Sequence, residues 1–242
     1  MIRAPIRGLG PGERKLEGAV AHYLVRVLRL RAGSTFVAFD PAAGVEADAV
    51  VLAAEGESIA VRFGALRPGV APRSAALTWI QGFAKGDKCD AIVRDATELG
   101  ATRIVVAMTR RSVVKLADAR ADARRNRWAR IAEEAARQCG RSEAPVVERP
   151  LPWAEAISAG TTGARFCLWE RATEPLAPAL FEALAAGEPL SFACGPEGGL
   201  ESDEVEQATA HGWTTASLGP LVLRTETVAA AVLGAVRVWS GL

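Results

Sequence analysis

Histidine and cysteine are scarce in this chain: His22 and His211 are its two histidines, and Cys89, Cys139, Cys167 and Cys194 lie far apart with no Cys-x-x-Cys pair. That spacing supplies neither a zinc knuckle nor a disulfide framework, so no metal centre is expected and buried, reduced thiols are the expected state of the cysteines. Long apolar runs are missing too. Hydrophobic residues make up 50% of the chain, yet no uninterrupted run approaches the roughly 20 residues that span a bilayer. The opening MIRAPIRGLGPGERK lacks the apolar centre of a secretory signal. A cytoplasmic protein with no membrane contact is therefore expected. Internal repeats and low-complexity segments are absent as well.

What is there is enough chain to bury a sizeable core, as one large domain or as a small and a medium one. Charge is unevenly spread along it. Residues 1–150 carry 25 Lys and Arg against 17 Asp and Glu, whereas residues 151–242 carry 4 against 11, a balance of +8 followed by −7 inside a net charge of +1. The densest basic stretch runs from Arg103 to Arg130 and is rich in arginine rather than lysine. It reads either as a solvated helix face or as a phosphate-facing surface, and the fixed fork of arginine favours the second.

Hydrophobic rhythm divides the chain in two. Up to about residue 70, short β-favouring runs such as STFVAFD and ESIAVRFGAL alternate with Gly and Asp-Pro turns, predicting a small antiparallel barrel or sandwich. RPGVAPRS reads as a linker. Beyond it the pattern becomes strand, helix, strand: AALTWIQGF, then Cys89, Ile92, Val93, Ala96 and Leu99 at helical spacing between Asp87 and Gly100 as caps, then TRIVVAM. Further strands are predicted at APVVE, RFCLWE, PLSFAC and TTASLG. Helices are predicted near 126–139, 152–159, 175–186, 202–211 and from Thr225 to Trp239. Strands separated by helices imply a parallel sheet covered on both faces, with ligands at the carboxyl ends of its strands.

Two irregular stretches sit at such strand ends. In FACGPEGGLESDEVEQA the apolar run breaks at Gly195, Pro196, Glu197, Gly198 and Gly199 before an acidic helix. Either the glycines merely serve a tight turn, or a ligand approaches the backbone there. A phosphate is the wrong ligand, because Glu197, Glu201, Asp203, Glu204 and Glu206 crowd the turn and the helix start, and neither nucleotide-loop spacing is present. A neutral or cationic ligand fits better, such as S-adenosylmethionine. The second stretch, SLGPLVLRTETVAAAVLGAV, turns at Gly219 and Pro220 and opens an Ala-rich helix at Arg224, which is either an ordinary helix start or the wall of a shared pocket.

Together these two stretches resemble the paired signature of the ribosomal RNA small subunit methyltransferase E family, SPOUT-class enzymes that methylate N3 of a uridine in 16S rRNA. HYLVRVLRLRAGSTFVAFD, QGFAKGDKCDAIVRDATELGATRIVVAMTRRSVVK and RWARIAEEAARQCGRSEAPVV are similar to further family blocks, so the resemblance covers nearly the whole chain. It implies an α/β fold: a PUA-like β-barrel that binds RNA over residues 1–70, and a SPOUT methyltransferase domain over 71–242 whose parallel sheet is threaded into a deep trefoil knot. It also implies a homodimer joined through the C-terminal domains. S-adenosylmethionine would lie among Leu168, Trp169 and Glu170, then Gly195, Pro196, Glu197 and Gly198, then Leu218, Gly219 and Leu223. Arg224 and Glu226 are the candidate catalytic residues, Arg224 as a cation near the uracil oxygens and Glu226 or Glu197 as the acceptor of the N3 proton, and no metal would be required.

The implied partner is 16S rRNA in the assembled 30S subunit. Arg26, Arg29, Arg31, Arg110, Arg111, Lys115 and Arg141 are the expected RNA contacts. His22, in an apolar segment, is expected to be a hydrogen-bonded core residue. Two further readings remain at this point: a related SPOUT methyltransferase acting on tRNA or another rRNA site, and a non-catalytic RNA-binding protein.

Overall fold

The computed structural model describes residues 2–41, 43–56, 58–69, 76–112, 118–159 and 163–240. The chain forms two compact units, Met1–Ala71 with Ala136–Ala144, and Pro72–Ala135 with Pro145–Leu242.

The first unit is built on six strands: β1 (Arg3–Pro5), β2 (Gly12–Glu17), β3 (Thr35–Asp40), β4 (Val45–Glu55), β5 (Ser58–Phe63) and β6 (Arg67–Pro68). Their order is β1-β3-β4-β5-β2, with β6 on β4, and β1 with β3 is the parallel pair in an otherwise antiparallel sheet. Alternation along β4 and β5 sends Ala47, Ala49, Val51, Ile59, Val61 and Phe63 into one core with Phe36. Burying each larger side chain there contributes roughly 1.5–3 kcal/mol. Against the expectation of strands throughout, residues 18–27 are helical, as α1 (Gly18–His22) followed by a π-helical turn from Tyr23 to Val27. The reason is visible in the spacing: Ala21, Leu24 and Leu28 fall on one helical face and pack into that core.

Two other expectations are corrected in this unit. His22 is exposed at the end of α1 rather than buried, and Cys139 is the exposed cysteine, whereas Cys89, Cys167 and Cys194 are buried. The stretch expected as a linker begins as β6, and residues 70–75 lie outside the described residues. Arg67 of β6 forks onto Asp48 at 2.8 and 2.9 Å and reaches Glu46 at 2.9 Å, while Arg3 binds the other oxygen of Glu46 at 2.7 Å. Burial pushes the Glu46 carboxyl up, but the hydrogen bonds from Arg3 and Arg67 outweigh it and hold the carboxyl below its usual range.

The second unit alternates strand and helix: β7 (Leu77–Gly82), α2 (Lys88–Glu98), β8 (Arg103–Met108), α3 (Asp118–Cys139), β9 (Val146–Val147), β10 (Leu151–Pro152), α4 (Trp153–Ser158), β11 (Ala164–Leu168), α5 (Leu176–Ala185), β12 (Leu190–Cys194), α6 (Ser202–Ala210), β13 (Thr214–Ala216) and α7 (Thr225–Trp239). From Ala136 onward, the end of α3 belongs to the first unit. That helix starts at Asp118 rather than near 126, because its first half is made of Ala and Arg, good helix formers that carry no apolar stripe to announce them.

The sheet runs β10-β8-β7-β12-β11-β13, with β9 on β8, and every pairing among the described residues is parallel. Neighbouring strand residues face opposite sides. Trp79, Phe166 and Phe192 enter the core beneath α2, α5 and α7, whereas Ile80, Cys167 and Ala193 enter the core beneath α4 and α6. Buried indoles here have partners for their N–H groups: Trp128 donates to Asp90 at 2.9 Å, Trp153 to the Glu204 carbonyl at 2.9 Å and Trp213 to the Ile157 carbonyl at 3.0 Å. No helix among the described residues is long and apolar enough to cross a membrane.

Candidate active site

Three adjacent strands, β12, β11 and β13, end side by side, and the loops leaving their carboxyl ends enclose a cavity of about 430 Å³. From β11 come Leu168, Trp169 and Glu170. From β12 come Cys194 and the Gly195–Leu200 loop, and from β13 comes the stretch from Ser217 through Leu223 to Arg224 and the first turn of α7. Lys88, at the start of α2, closes one side.

The Gly195 loop is shaped from below by close backbone approach. A Cβ on Gly82, the last residue of β7, would lie 2.5 Å from Pro196 Cδ, and one on Gly195 would lie 2.8 Å from the Gly199 carbonyl carbon. Gly82 and Gly195 are therefore required by packing, and Gly199, at φ 73°, is required by backbone conformation. Gln81, buried at the end of β7, fixes the same loop to α7. Its amide donates to the Gly195 carbonyl at 3.0 Å and to Thr225 Oγ1 at 2.8 Å, and its own oxygen accepts from Trp79 Nε1 at 3.1 Å. Thr225 in turn donates to the Gly195 carbonyl at 2.8 Å.

Cations hold the acidic start of α6. Arg111 Nε donates to Glu201 at 2.7 Å, and its Nη1 donates to the Gly198 carbonyl. The Arg110 backbone N–H donates to Glu204 at 2.9 Å while its guanidinium pairs with Asp203. The hydrogen bond from Arg111 holds the Glu201 carboxyl below its usual range. On the opposite rim, Glu197 Oε1 accepts from the Lys85 backbone N–H at 3.0 Å and lies 3.1 Å from the Lys88 ammonium, which stands 3.9 Å from Glu226. Burial pushes the Glu197 carboxyl up, yet hydrogen bonds from its own backbone N–H, from Lys88 and from the Lys85 backbone hold it below its usual range.

Among the described residues, the charged side chains lining the cavity are Lys88 and Arg224 against Glu170, Glu197 and Glu226, two cations against three carboxylates, a balance of −1. Two buried polar atoms of its wall, Trp169 Nε1 and Glu226 Oε2, have no hydrogen-bond partner among the described residues. Native interiors seldom leave such atoms unpaired, so a ligand with polar groups is the expected complement. Cys194 also lines the cavity, but burial pushes its thiol up to about 12, which removes it as a nucleophile near neutral pH.

An RNA methyltransferase family model matches residues 71–237, and an RNA methyltransferase PUA domain model matches residues 16–64. The ribosomal RNA small subunit methyltransferase E of Mycobacterium bovis is 32% identical over 231 residues, 92% of this chain and 85% of that one. The Bacillus subtilis protein of the same name is 36% identical over 160 residues, covering 64% of this chain and 62% of the relative. The chain belongs to the ribosomal RNA small subunit methyltransferase E family. Its fold agrees closely with a solved family structure, that of the Neisseria gonorrhoeae enzyme bound to S-adenosyl methionine, at TM-score 0.86 and 25% identity, covering 99% of this chain and 98% of that one.

In this family member the structure brings Leu168, Trp169, Glu170, Gly195, Pro196, Glu197, Gly198, Leu218, Gly219, Leu223, Arg224 and Glu226 to one cavity. The residues expected to contact RNA are distributed differently. Arg26, Arg29 and Arg31 are exposed in the first unit, Arg141 is buried, and Arg110 and Arg111 bind carboxylates of α6. Lys115 lies outside the described residues. Sequence reasoning missed Lys88, Gln81 and Thr225 as parts of the site. Lys88 and Thr225 open helices whose starts looked ordinary, and Gln81 carried a signal that was passed over: a polar residue inside an otherwise apolar strand.

Proposed function

We propose that the chain methylates N3 of a uridine in 16S rRNA, using S-adenosylmethionine held in the cavity at the ends of β11, β12 and β13. The observation that carries this reading is the cavity's donor set: loops that approach through bare backbone, a charge balance of −1 facing a cofactor of net charge +1, and unpaired polar atoms at Trp169 and Glu226. Trp169, Glu170, Gly195, Glu197, Gly198, Leu218, Gly219 and Leu223 are the residues that would hold the cofactor. When bound, S-adenosylmethionine supplies an electrophilic methyl group.

The chain's own residues must then deal with the imide proton. Uracil N3 carries a hydrogen and its lone pair is delocalised, so the site has to accept that proton and stabilise the negative charge that spreads to the flanking oxygens. Arg224, exposed at the mouth of the cavity as the residue preceding α7, supplies the cation, and Glu226 in the first turn of that helix supplies the acceptor.

The reading extends to the rest of the molecule. Residues 1–70 act as a PUA-like barrel that grips RNA through Arg26, Arg29 and Arg31, and residues 71–242 form the knotted methyltransferase domain. A homodimer forms through that second domain, supported by the exposed Phe181, Val238 and Trp239 on α5 and α7. The substrate is the assembled 30S subunit, in the cytoplasm.

The test is transfer of labelled methyl from S-adenosylmethionine to 30S subunits lacking the modification, with the product nucleoside identified by mass spectrometry after digestion. The expected product is 3-methyluridine. Another methylated nucleoside would overturn the base assignment, and no transfer to 30S subunits, free 16S rRNA or tRNA would overturn the enzymatic reading.

A further inference from the structure

The two carboxylates that face each other across the mouth of the cavity are not equivalent, and a lysine makes them so. Glu197 is engaged: its Oε1 takes the Lys85 backbone N–H and the Lys88 ammonium. Glu226 is not engaged in that way. Among the described residues, its Oε2 is buried without a hydrogen-bond partner, and the nearest cation is the same Lys88 ammonium at 3.9 Å, beyond hydrogen-bonding range. Lys88 itself lines the cavity and is only 35% exposed. It sits in the first turn of α2, where a helix gains nothing from a cation, since that end of the macrodipole is already positive. A lysine there has to be accounted for by what faces it.

We infer that Lys88 is a positioning residue for methyl transfer: by binding Glu197 it ties down one carboxylate as scaffold, and its remaining field orients Glu226 to accept a proton from the substrate base. The inference rests on the uracil-N3 reading above and deepens it by dividing labour between the two acids. The proton balance is simple. The N3–H bond breaks and its proton passes to Glu226, the electron pair left on N3 forms the N3–methyl bond, and the methyl–sulfur bond of S-adenosylmethionine breaks with its pair staying on sulfur, so that the thioether leaves. Lys88 exchanges no proton. The charged groups facing Glu226 are Lys88 from α2, Glu197 from the loop after β12 and Arg224 beside it at the start of α7. Removing the Lys88 charge leaves Glu226 with one carboxylate and one exposed arginine as neighbours and releases Glu197 to compete for the proton.

Two measurements separate this role from a purely structural one. The first is a coupling experiment in single turnover at saturating S-adenosylmethionine and 30S subunits, at alkaline pH so that a Glu226→Gln protein keeps a measurable rate. Lys88→Met is expected to slow transfer about tenfold when Glu226 is present and less than about twofold when Glu226 is replaced by Gln. Lys88→Arg, which keeps the charge, is expected to restore most of the rate. An equal loss in both backgrounds, or no loss in either, overturns the inference. The second needs no activity: in the cofactor-free protein, thermal unfolding of Lys88→Met, Glu197→Gln and the double variant is expected to be non-additive, reporting the scaffold pair. Additive midpoints would overturn that half. Failure of the underlying reading looks different, because the wild-type enzyme would then yield no 3-methyluridine at all.

Discussion

Gln81 Nε2 and Thr225 Oγ1 lie 2.8 Å apart although 144 residues separate them in sequence, and both also bind the Gly195 carbonyl. One buried amide thus joins the last residues of a central strand, the Gly195 loop and the first turn of α7. A buried network of this kind fixes geometry because each member is costly to leave unpaired. Gln81→Leu would leave the Gly195 carbonyl with Thr225 and the weak Cys194 thiol as donors and remove the partner of the Trp79 indole N–H. A destabilisation of about 2 kcal/mol is expected, together with an at least tenfold weaker Kd for S-adenosylmethionine. Calorimetric titration checks the second effect, and an unchanged Kd in a destabilised protein would limit the network to fold maintenance.

Arg224 precedes α7 and makes no side-chain cap on it, so its guanidinium is not needed to hold the helix. Arg224→Ala should therefore fold normally and bind S-adenosylmethionine within about threefold of wild type, while single-turnover methyl transfer falls about a hundredfold, the scale set by removing one preorganised group from a developing anion. Arg224→Lys should recover only part of this, because a point charge cannot match two oxygens at once. Unchanged transfer on 30S subunits would remove Arg224 from the mechanism.

How much of this was legible in the sequence depends on which force decides each feature. Strands β7, β11 and β12 and helices α2 and α7 announce themselves, because their apolar patterns match what the core buries. The pocket loops were legible as broken runs at strand ends. Residues 18–27 were not, since a short helix with Ala21 and Leu24 inward reads much like a strand when Val and Leu dominate the segment. The partners of Arg110 and Arg111 were invisible for another reason: an arginine-rich run looks the same whether it faces phosphate or carboxylates of α6, which are about 90 residues away in sequence. Long-range electrostatic pairing leaves no local trace.

That pairing separates two kinds of arginine. Arg31, exposed in the first unit, should behave as a phosphate contact, so Arg31→Ala is expected to lower affinity for the RNA target and to reduce the slope of log K against log salt by about one. Arg111→Ala should leave that slope unchanged. Its effect should fall on the Gly198 loop, which it holds through the Gly198 carbonyl and Glu201, as a roughly tenfold weaker Kd for S-adenosylmethionine. Filter binding across a salt series distinguishes the two, and a reduced slope for Arg111→Ala would return that residue to the RNA surface.

The Arg3–Glu46–Arg67 cluster makes a pH-dependent contribution to the first unit. Glu46 is buried, with both carboxylate oxygens bonded to guanidinium groups, and its carboxyl titrates below its ordinary value in the folded state. A group whose pKa is depressed by folding stabilises the native state above its unfolded value and loses that contribution as pH falls through the folded value. The wild-type protein should therefore lose stability relative to Glu46→Gln as pH falls from about 5 toward about 3, with no change in the difference between about pH 6 and 8. At neutral pH Glu46→Gln itself should cost about 2 kcal/mol, because it leaves the partly buried Arg3 with a weaker, uncharged partner. Thermal unfolding of the two proteins at matched ionic strength measures both effects. A difference that stayed constant across the acid range would mean that Glu46 gains nothing from its two arginines.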